Sequence, residues 1–187
     1  MLKRPLIQLS KASRFLLSIG ENFEFFQQAI QSPSNSLKYG RDFSEIKFAI
    51  ERADQKRILL QLHKRQMLKV RKVQENNAQR YLIALTNQGR AELLRLGVLN
   101  ADLLPQGKNC LVVFDIPEQH RNLREQIRKL LKAAGFFPIQ RSVWISPFDA
   151  GPALIALFAL KKARSWVRAY YVKEIDRESF SGRSSTK

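Results

Sequence analysis

The first third of the chain places apolar residues at helical spacing. Steps of three and four residues predict a helix from Lys11 to Gln31, ended by a Ser- and Pro-rich stretch. The pattern Asp42-Phe-Ser-Glu resembles a capping box, so a second helix is predicted to begin near Asp42. A third helix is predicted from Gln55 to about Gln66, capped by Asp54. The apolar faces of the second and third helices comprise Phe43, Ile46, Ala49 and Ile50, and then Ile58, Leu59 and Leu62.

The pattern changes to the period of a strand after the third helix. Residues 67–73 alternate apolar and basic side chains, and 81–86 form a second apolar run, so we predict a hairpin that turns at 75–78. A helix is predicted from Asn87 to Leu96, with Gly97 as its stop. Three helices followed by a hairpin are the order of a winged helix. In that motif the third helix enters the major groove and the hairpin forms the wing.

The second half of the chain carries a different order of elements. Residues 100–107, which include Pro105 and Gly107, indicate a linker. After it we predict a strand at 110–114, a basic helix at 118–134 ended by Gly135, strands at 136–139 and 142–146, a helix at 149–161 capped by Asp149, and a last strand at 165–174. This βαββαβ order is ferredoxin-like.

These patterns predict an α+β protein, with an N-terminal winged helix-turn-helix followed by a ferredoxin-like βαββαβ domain. The winged-helix DNA-binding domain, with its long N-terminal helix, is assigned to 1–99 and the linker to 100–107. A ferredoxin-like dimerisation domain is assigned to 108–176. The polar, Ser-rich tail 177–187 is predicted to be disordered.

Positive charge is the compositional feature that narrows the function. The chain has 33 lysines and arginines against 16 acidic residues, a formal net charge of +17. This excess favours nucleic acid as a partner, ahead of an anionic membrane surface or a merely solvated basic surface. Between residues 55 and 81 the only acidic residue is Glu75. We therefore predict contact with double-stranded DNA through Lys56, Arg57, Gln61, Lys64, Arg65, Lys69, Arg71, Lys72 and Arg80.

The cysteine and histidine content argues against several kinds of site. Cys110 is the single cysteine, lies in an apolar run and is predicted to be a core residue in a reducing compartment. Two scattered histidines, His63 and His120, do not suit a zinc site. The longest apolar run, 153–160, is too short to span a bilayer, and no secretory signal is visible. We therefore expect a cytoplasmic protein with no membrane partner.

Two stretches resemble known families. The element Leu85-Thr-Asn-Gln-Gly-Arg resembles the junction between the wing and the last helix of many winged-helix regulators. The set Val113-Phe-Asp-Ile-Pro-Glu, Arg121, Arg124, Gly135-Phe and Gln140-x-Ser-Val-Trp-Ile-x-Pro resembles the central domain of the PaaX-like transcriptional repressors. It is also similar to the small CRISPR-associated adaptation nuclease. The second resemblance covers roughly residues 107 to 176.

These resemblances imply a homodimeric DNA-binding transcriptional regulator, for which no cofactor and no enzymatic activity are expected. The chain stops before the further C-terminal portion of the full-length repressors, so we expect no coenzyme A thioester effector. The nuclease resemblance implies an alternative, a metal-dependent nuclease or CRISPR-type adaptation subunit in which Asp115 binds Mg²⁺ across a dimer axis. A structural role for Asp115 in the following turn is favoured. Non-specific nucleic-acid binding, driven by charge alone, is a third alternative.

Several side chains have both a structural and a functional interpretation. Trp144 and Trp166 suit base stacking, but core or dimer packing is favoured. The Phe-rich face of the first helix is likewise predicted to pack in the core rather than to dock a partner. Cations on the helix after Asp115 form either a second DNA surface or a solvated face, and both interpretations stay open for Arg121, Arg124, Arg128, Lys129 and Lys132.

Overall fold

Two antiparallel sheets organise the chain in the computed structural model, which describes residues 9–20, 46–48, 53–75 and 78–173. The first sheet has three strands in the order β1-β3-β2. Its elements are α1 (Lys11–Gly20), β1 (Ile46–Phe48), α2 (Ala53–Lys64), β2 (Leu68–Glu75), β3 (Ala78–Leu85) and α3 (Asn87–Leu99). The predicted hairpin is confirmed, because β2 pairs with β3 from Leu68 opposite Leu85 to Glu75 opposite Ala78.

The second sheet has four strands in the order β5-β6-β4-β7, with every neighbouring pair antiparallel. Its elements are β4 (Lys108–Phe114), a short 3₁₀ helix (Glu118–His120), α4 (Arg121–Ala133), β5 (Phe137–Gln140), β6 (Val143–Ser146), α5 (Gly151–Leu160), a 3₁₀ turn (Arg164–Trp166) and β7 (Val167–Lys173). This is the predicted βαββαβ arrangement with ferredoxin-like strand order. Gly135 has φ +79° and ends α4, as the sequence predicts.

Apolar periodicity produces two cores. In the first unit Leu59 and Leu62 of α2 are fully buried with Ile83 of β3 and Leu93 of α3. In the second unit Cys110 is fully buried, and Trp144 is 8% exposed within the same core. Each fully buried aliphatic side chain contributes about 1.5–3 kcal/mol, so both cores stabilise the elements that carry the exposed polar side chains.

The helix α5 belongs to both cores. Ala156 and Leu157 pack into the first core, whereas Leu154 and Phe158 pack into the second. The helix is apolar on all sides, as expected for a helix with packing partners all round. The two units are therefore joined by packing as well as by the chain itself. Among the described helices, none combines the length and the apolar character needed to cross a membrane.

The predicted second helix is wrong where the structure describes it. Residues Ile46–Phe48 form β1, which pairs with β3 in the register Ile46 opposite Ile83. Within these residues Lys47 lies between the apolar Ile46 and Phe48, which is also the period of a strand. Pairing with the open side of β3 satisfies the backbone groups of this segment. The remainder of the predicted helix, and residues 21–31 of the first, lie outside the described residues.

Three predicted helix ends need correction. The helix α2 begins at Ala53, so Asp54 lies in its first turn rather than at its cap. The helix α3 continues past Gly97 to Leu99, because Val98 and Leu99 are buried in the second core. Asp149 does not cap α5, which begins at Gly151; its carboxylate instead accepts a hydrogen bond from the Tyr171 hydroxyl.

The segment predicted as a linker, 100–107, runs along the second unit. The Leu104 N–H donates to the Pro147 carbonyl over 2.8 Å, and the Asp149 N–H donates to the Asp102 carbonyl over 2.8 Å. Leu103 also forms an isolated bridge with Phe148. These bonds attach the segment to the loop between β6 and α5. The predicted disordered tail, 177–187, lies outside the described residues.

Candidate nucleic-acid interface

The helix α2 presents a stripe of four exposed side chains on the side away from the core. Ile58, Leu59 and Leu62 are buried, and these positions fix which side of the helix faces solvent. The exposed stripe follows the spacing i, i+3, i+4 and i+7, and its members lie along one face. They are Arg57, Leu60, Gln61 and Lys64, which we call the α2 stripe. Lys56 and Arg65 are also exposed beside it.

The polar members of the α2 stripe are available for a partner. Within the described residues, the side chains of Arg57, Gln61 and Lys64 make no hydrogen bond or ion pair. A guanidinium, an amide and an ammonium group together offer donors to phosphate oxygens and to base edges. The stripe therefore has the chemistry that contact with DNA requires.

The turn after α2 fixes the helix against the hairpin. Gln66 has φ +57°, and the Met67 N–H donates to the Leu62 carbonyl over 3.0 Å. The His63 Nδ1 lies 2.9 Å from the Leu68 carbonyl oxygen, so this histidine is a structural residue that ties α2 to β2. The sequence argued against a zinc site at His63 but did not predict this structural role. These bonds give the stripe a defined position relative to β2.

The Leu85-Thr-Asn-Gln-Gly-Arg element, at the start of α3, also contacts the turn after α2. The Thr86 Oγ1 lies 2.5 Å from the Gln66 carbonyl oxygen and caps α3 by accepting from the Gly89 N–H over 3.0 Å. A Cβ at Gly89 would lie 1.9 Å from the Met67 carbonyl oxygen. Glycine is therefore required at this position, and the element holds α3, the hairpin and the end of α2 together.

The cations of the hairpin do not share one face. Lys69 and Arg71 are exposed on the side of β2 opposite to Leu68, which is buried against the helices. Lys72 has the parity of Leu68 and lies opposite the buried Tyr81, yet its own side chain is exposed. Only the backbone of Arg80 is described. The structure therefore gathers the helical cations in one stripe and divides those of β2 between two faces.

Asp115 follows the end of β4 at the surface of the second unit. Its N–H donates to the Trp166 carbonyl over 2.8 Å, and its side chain is exposed. Among the described residues none donates a hydrogen bond to the Asp115 carboxylate, so the favoured bond to the following turn is not formed. Trp166 is half-buried, and its ring lies 4.7 Å from that of His120.

Residues 105–179 match the family model of the PaaX protein central Cas2-like domain. Over these residues the chain is PaaX-like. The match covers all of β4 to β7 and agrees with the resemblance that the sequence carries in the same region. Comparison with curated proteins and with solved structures gives no match.

Metal chemistry in this Cas2-like domain would need more ligands than one copy supplies. The described residues contain no group of three or more His, Cys, Asp or Glu side chains placed to hold a metal ion. The nearest acidic residue along the chain, Glu118, is paired with Arg124 over 2.5 Å, and this guanidinium lowers the pKa of the Glu118 carboxyl. Within the described residues, Asp115 is therefore not part of a cluster of protein ligands for a metal ion.

The cations of α4 are partly engaged within the Cas2-like domain. Arg124 pairs with Glu118, and Arg128 pairs with Glu125 over 2.8 Å and also donates to the Arg141 carbonyl. Arg121, Lys129 and Lys132 are exposed, and in the described part of the chain their side chains make no ion pair. Some cationic side chains of α4 are therefore held in ion pairs, and the others are exposed to solvent.

Sequence reasoning missed Leu60, which is 46% exposed in the α2 stripe. In the sequence it follows two apolar residues; the predicted core face leaves it out, but it was not assigned to the exposed face either. A rotation of 100° per residue, counted from Ile58 and Leu62, places it outside that face. Counting the phase of each leucine would have identified it.

Proposed function

We propose that this PaaX-like chain is a DNA-binding transcriptional regulator that acts as a homodimer, with α2 lying in the major groove of duplex DNA. The observation that carries the proposal is the α2 stripe, whose polar side chains are exposed and have no partner among the described residues. The PaaX family to which the second domain is matched is a family of transcriptional repressors, which supports the same class of function.

The arrangement of the first unit supports a winged-helix mode of binding. The helix α2 is followed at once by the hairpin β2-β3, and β1 completes a three-stranded sheet. In a winged helix, such a helix reads the groove and the hairpin contacts the backbone beside it. In this proposal Gln61 contacts base edges in the groove, and Arg57 and Lys64 contact the phosphates that border it. Further phosphate contacts are proposed for Lys56, Arg65, Lys69, Arg71, Lys72 and Arg80, although Lys69 and Arg71 lie on one face of β2 and Lys72 on the other.

The open face of the Cas2-like sheet supports pairing of two copies. The helices cover the face of Cys110 and Val112, so the alternate residues of each strand point away from them. On that face strand register aligns a continuous apolar row across all four strands, made of Tyr170, Leu111, Ile145 and Phe137. Tyr170 and Phe137 are 45% and 46% exposed. Ile145 is already buried in the single chain, at 9% exposed, so a second copy of this face would mainly bury Tyr170 and Phe137 about a twofold axis.

Competition binding tests the regulatory proposal. The full chain is titrated against labelled genomic fragments at near-physiological salt, with unlabelled random duplex as competitor. A regulator retains a preference for particular fragments, because base contacts add to the phosphate term. If random duplex displaces the protein equally well from every fragment, binding is non-specific and driven by charge alone. Absence of binding to any duplex at low salt would overturn the proposal.

Pairing is tested separately by light scattering after size exclusion. Leu111→Lys places a charge within the apolar row and is expected to shift the protein from a dimer to a monomer. Leu103→Lys is the matched control, because Leu103 is 64% exposed and lies outside the row. A dimer that persists unchanged in Leu111→Lys would exclude this face as the interface.

A second candidate function, metal-dependent nuclease activity, rests on the Asp115 carboxylate, which is exposed and has no partner among the described residues. In this candidate two copies would each supply one carboxylate. It predicts cleavage of DNA that depends on Mg²⁺ or Mn²⁺ and disappears in Asp115→Ala. Cleavage that is unchanged in Asp115→Ala would show that another protein in the preparation is responsible.

A further inference from the structure

Leu60 is an unusual member of the α2 stripe because it is the only apolar one. It lies three residues after Arg57 and four before Lys64, so polar side chains flank it along the helix axis. A single exposed leucine is ordinary on a protein surface. What requires an explanation is its position in the centre of a stripe whose polar groups have no partner in the described part of the chain.

The first core does not account for Leu60. Ile58, Leu59 and Leu62 supply the contacts of α2 with the sheet and with α1, and Leu60 is neither in that core nor among the residues packed against it. Its side chain is 46% exposed, whereas Leu59 is fully buried.

The major groove offers one apolar group to a side chain on a bound helix, the C5-methyl of thymine. The other edge groups of the four base pairs are hydrogen-bond donors and acceptors. A branched aliphatic side chain gains free energy against that methyl group and gains nothing from the same position in cytosine. Gln61, the next residue, is the type of side chain that pairs with adenine.

We propose that Leu60 is a specificity-determining residue that contacts a thymine methyl group in the recognised half-site. This inference rests on the proposed function, since it requires α2 to lie in the major groove. It assigns Leu60 to base recognition and Arg57 and Lys64 to the contacts that position the helix around it. The expected target is therefore a duplex with at least one thymine under the middle of α2.

Replacement of thymine by uracil tests the contact, because uracil differs from thymine only by the absence of the C5-methyl group. A preferred duplex is first selected from a randomised library with the full chain, and each thymine is then replaced in turn. Loss of one buried methyl-sized group is expected to weaken binding about fourfold at the contacted position. In Leu60→Ala the same replacement should have no effect. Leu103→Ala, changed at another exposed leucine, should keep the fourfold difference.

The outcomes separate this inference from the proposed function. If no preferred duplex emerges from selection, the regulatory proposal fails. If a preferred duplex emerges but no uracil replacement weakens binding, or if Leu60→Ala keeps the wild-type thymine-to-uracil difference, the role of Leu60 is wrong and the regulatory proposal stands. Thermal unfolding of Leu60→Ala, monitored by circular dichroism, should match the wild type and so exclude a folding defect.

Discussion

Gly89→Ala is the substitution whose effect the structure defines most sharply. A Cβ at this position would lie 1.9 Å from the Met67 carbonyl oxygen and 2.9 Å from its carbon. Both are backbone atoms, so no flexible side chain can move aside. The first turn of α3 must then separate from the turn after α2, which also breaks the bonds that Thr86 makes to Gln66 and Gly89.

The magnitude follows from three contributions. Overpacking costs about 1–3 kcal/mol, and loss of two hydrogen bonds adds about 1 kcal/mol each. Alanine recovers about 1 kcal/mol of helix propensity. The expected net loss in the free energy of unfolding is therefore roughly 3 kcal/mol, a large part of the stability of a small protein.

Urea unfolding measures this loss, and Gly107→Ala is its matched control. Gly107 has φ +76° and no atom within 4 Å of a Cβ built there, so only backbone strain of about 1–2 kcal/mol is expected. Gly89→Ala should also weaken DNA binding, because the turn that it disrupts positions α2. A Gly89→Ala protein as stable as Gly107→Ala or more so would refute the steric reasoning.

Further predictions concern the cores. Leu62→Ala should lower the free energy of unfolding by about 2–5 kcal/mol. Because α5 packs in both cores, the change should appear equally in tryptophan fluorescence, which reports Trp144 and Trp166 of the second unit, and in circular dichroism. Burial raises the pKa of Cys110 from 9.0 to about 12. The contribution of the Cys110 thiol to the free energy of unfolding should therefore be fully present below pH 9. It should fall as the pH rises toward 12, because the thiol ionises first in the unfolded chain. Urea unfolding of Cys110→Ala should show a shallower decline of the free energy of unfolding between pH 9 and 12. A pH dependence identical to that of the wild type would contradict the raised pKa of Cys110.

The sequence predicted the parts of the fold that depend on local patterns. The alternation of apolar and basic residues in 67–73 produces β2, and the spacing of strands and helices after Lys108 produces the ferredoxin-like order. Gly135 ends α4 through its own backbone conformation, which needs no distant partner. These features follow from periodicity and turn chemistry alone.

Other features depend on contacts between distant residues, which periodicity does not contain. Residues 46–48 suit either a helix or a strand, and the pairing of β1 with β3 decides between them. Gly97 remains helical because Val98 and Leu99 find a core in the second unit. Asp149 bonds to Tyr171 from another element instead of capping α5. For the candidate site, the sequence shows which residues are cationic. It does not show that those of β2 are divided between two faces, because that depends on which side of the hairpin packs against the helices.

The salt dependence of DNA binding tests the central claim most directly. Fluorescence anisotropy of the full chain with its selected duplex is recorded between low and near-physiological salt for wild type, for Arg57→Ala with Lys64→Ala, and for Lys129→Ala with Lys132→Ala as a control with the same loss of charge. Each lost phosphate contact lowers the slope of log affinity against log salt by about 0.9. The α2 variant should lose up to about 1.8 in slope together with its affinity, and the α4 control should change little. An α2 variant that keeps the wild-type affinity and slope would show that α2 does not contact DNA.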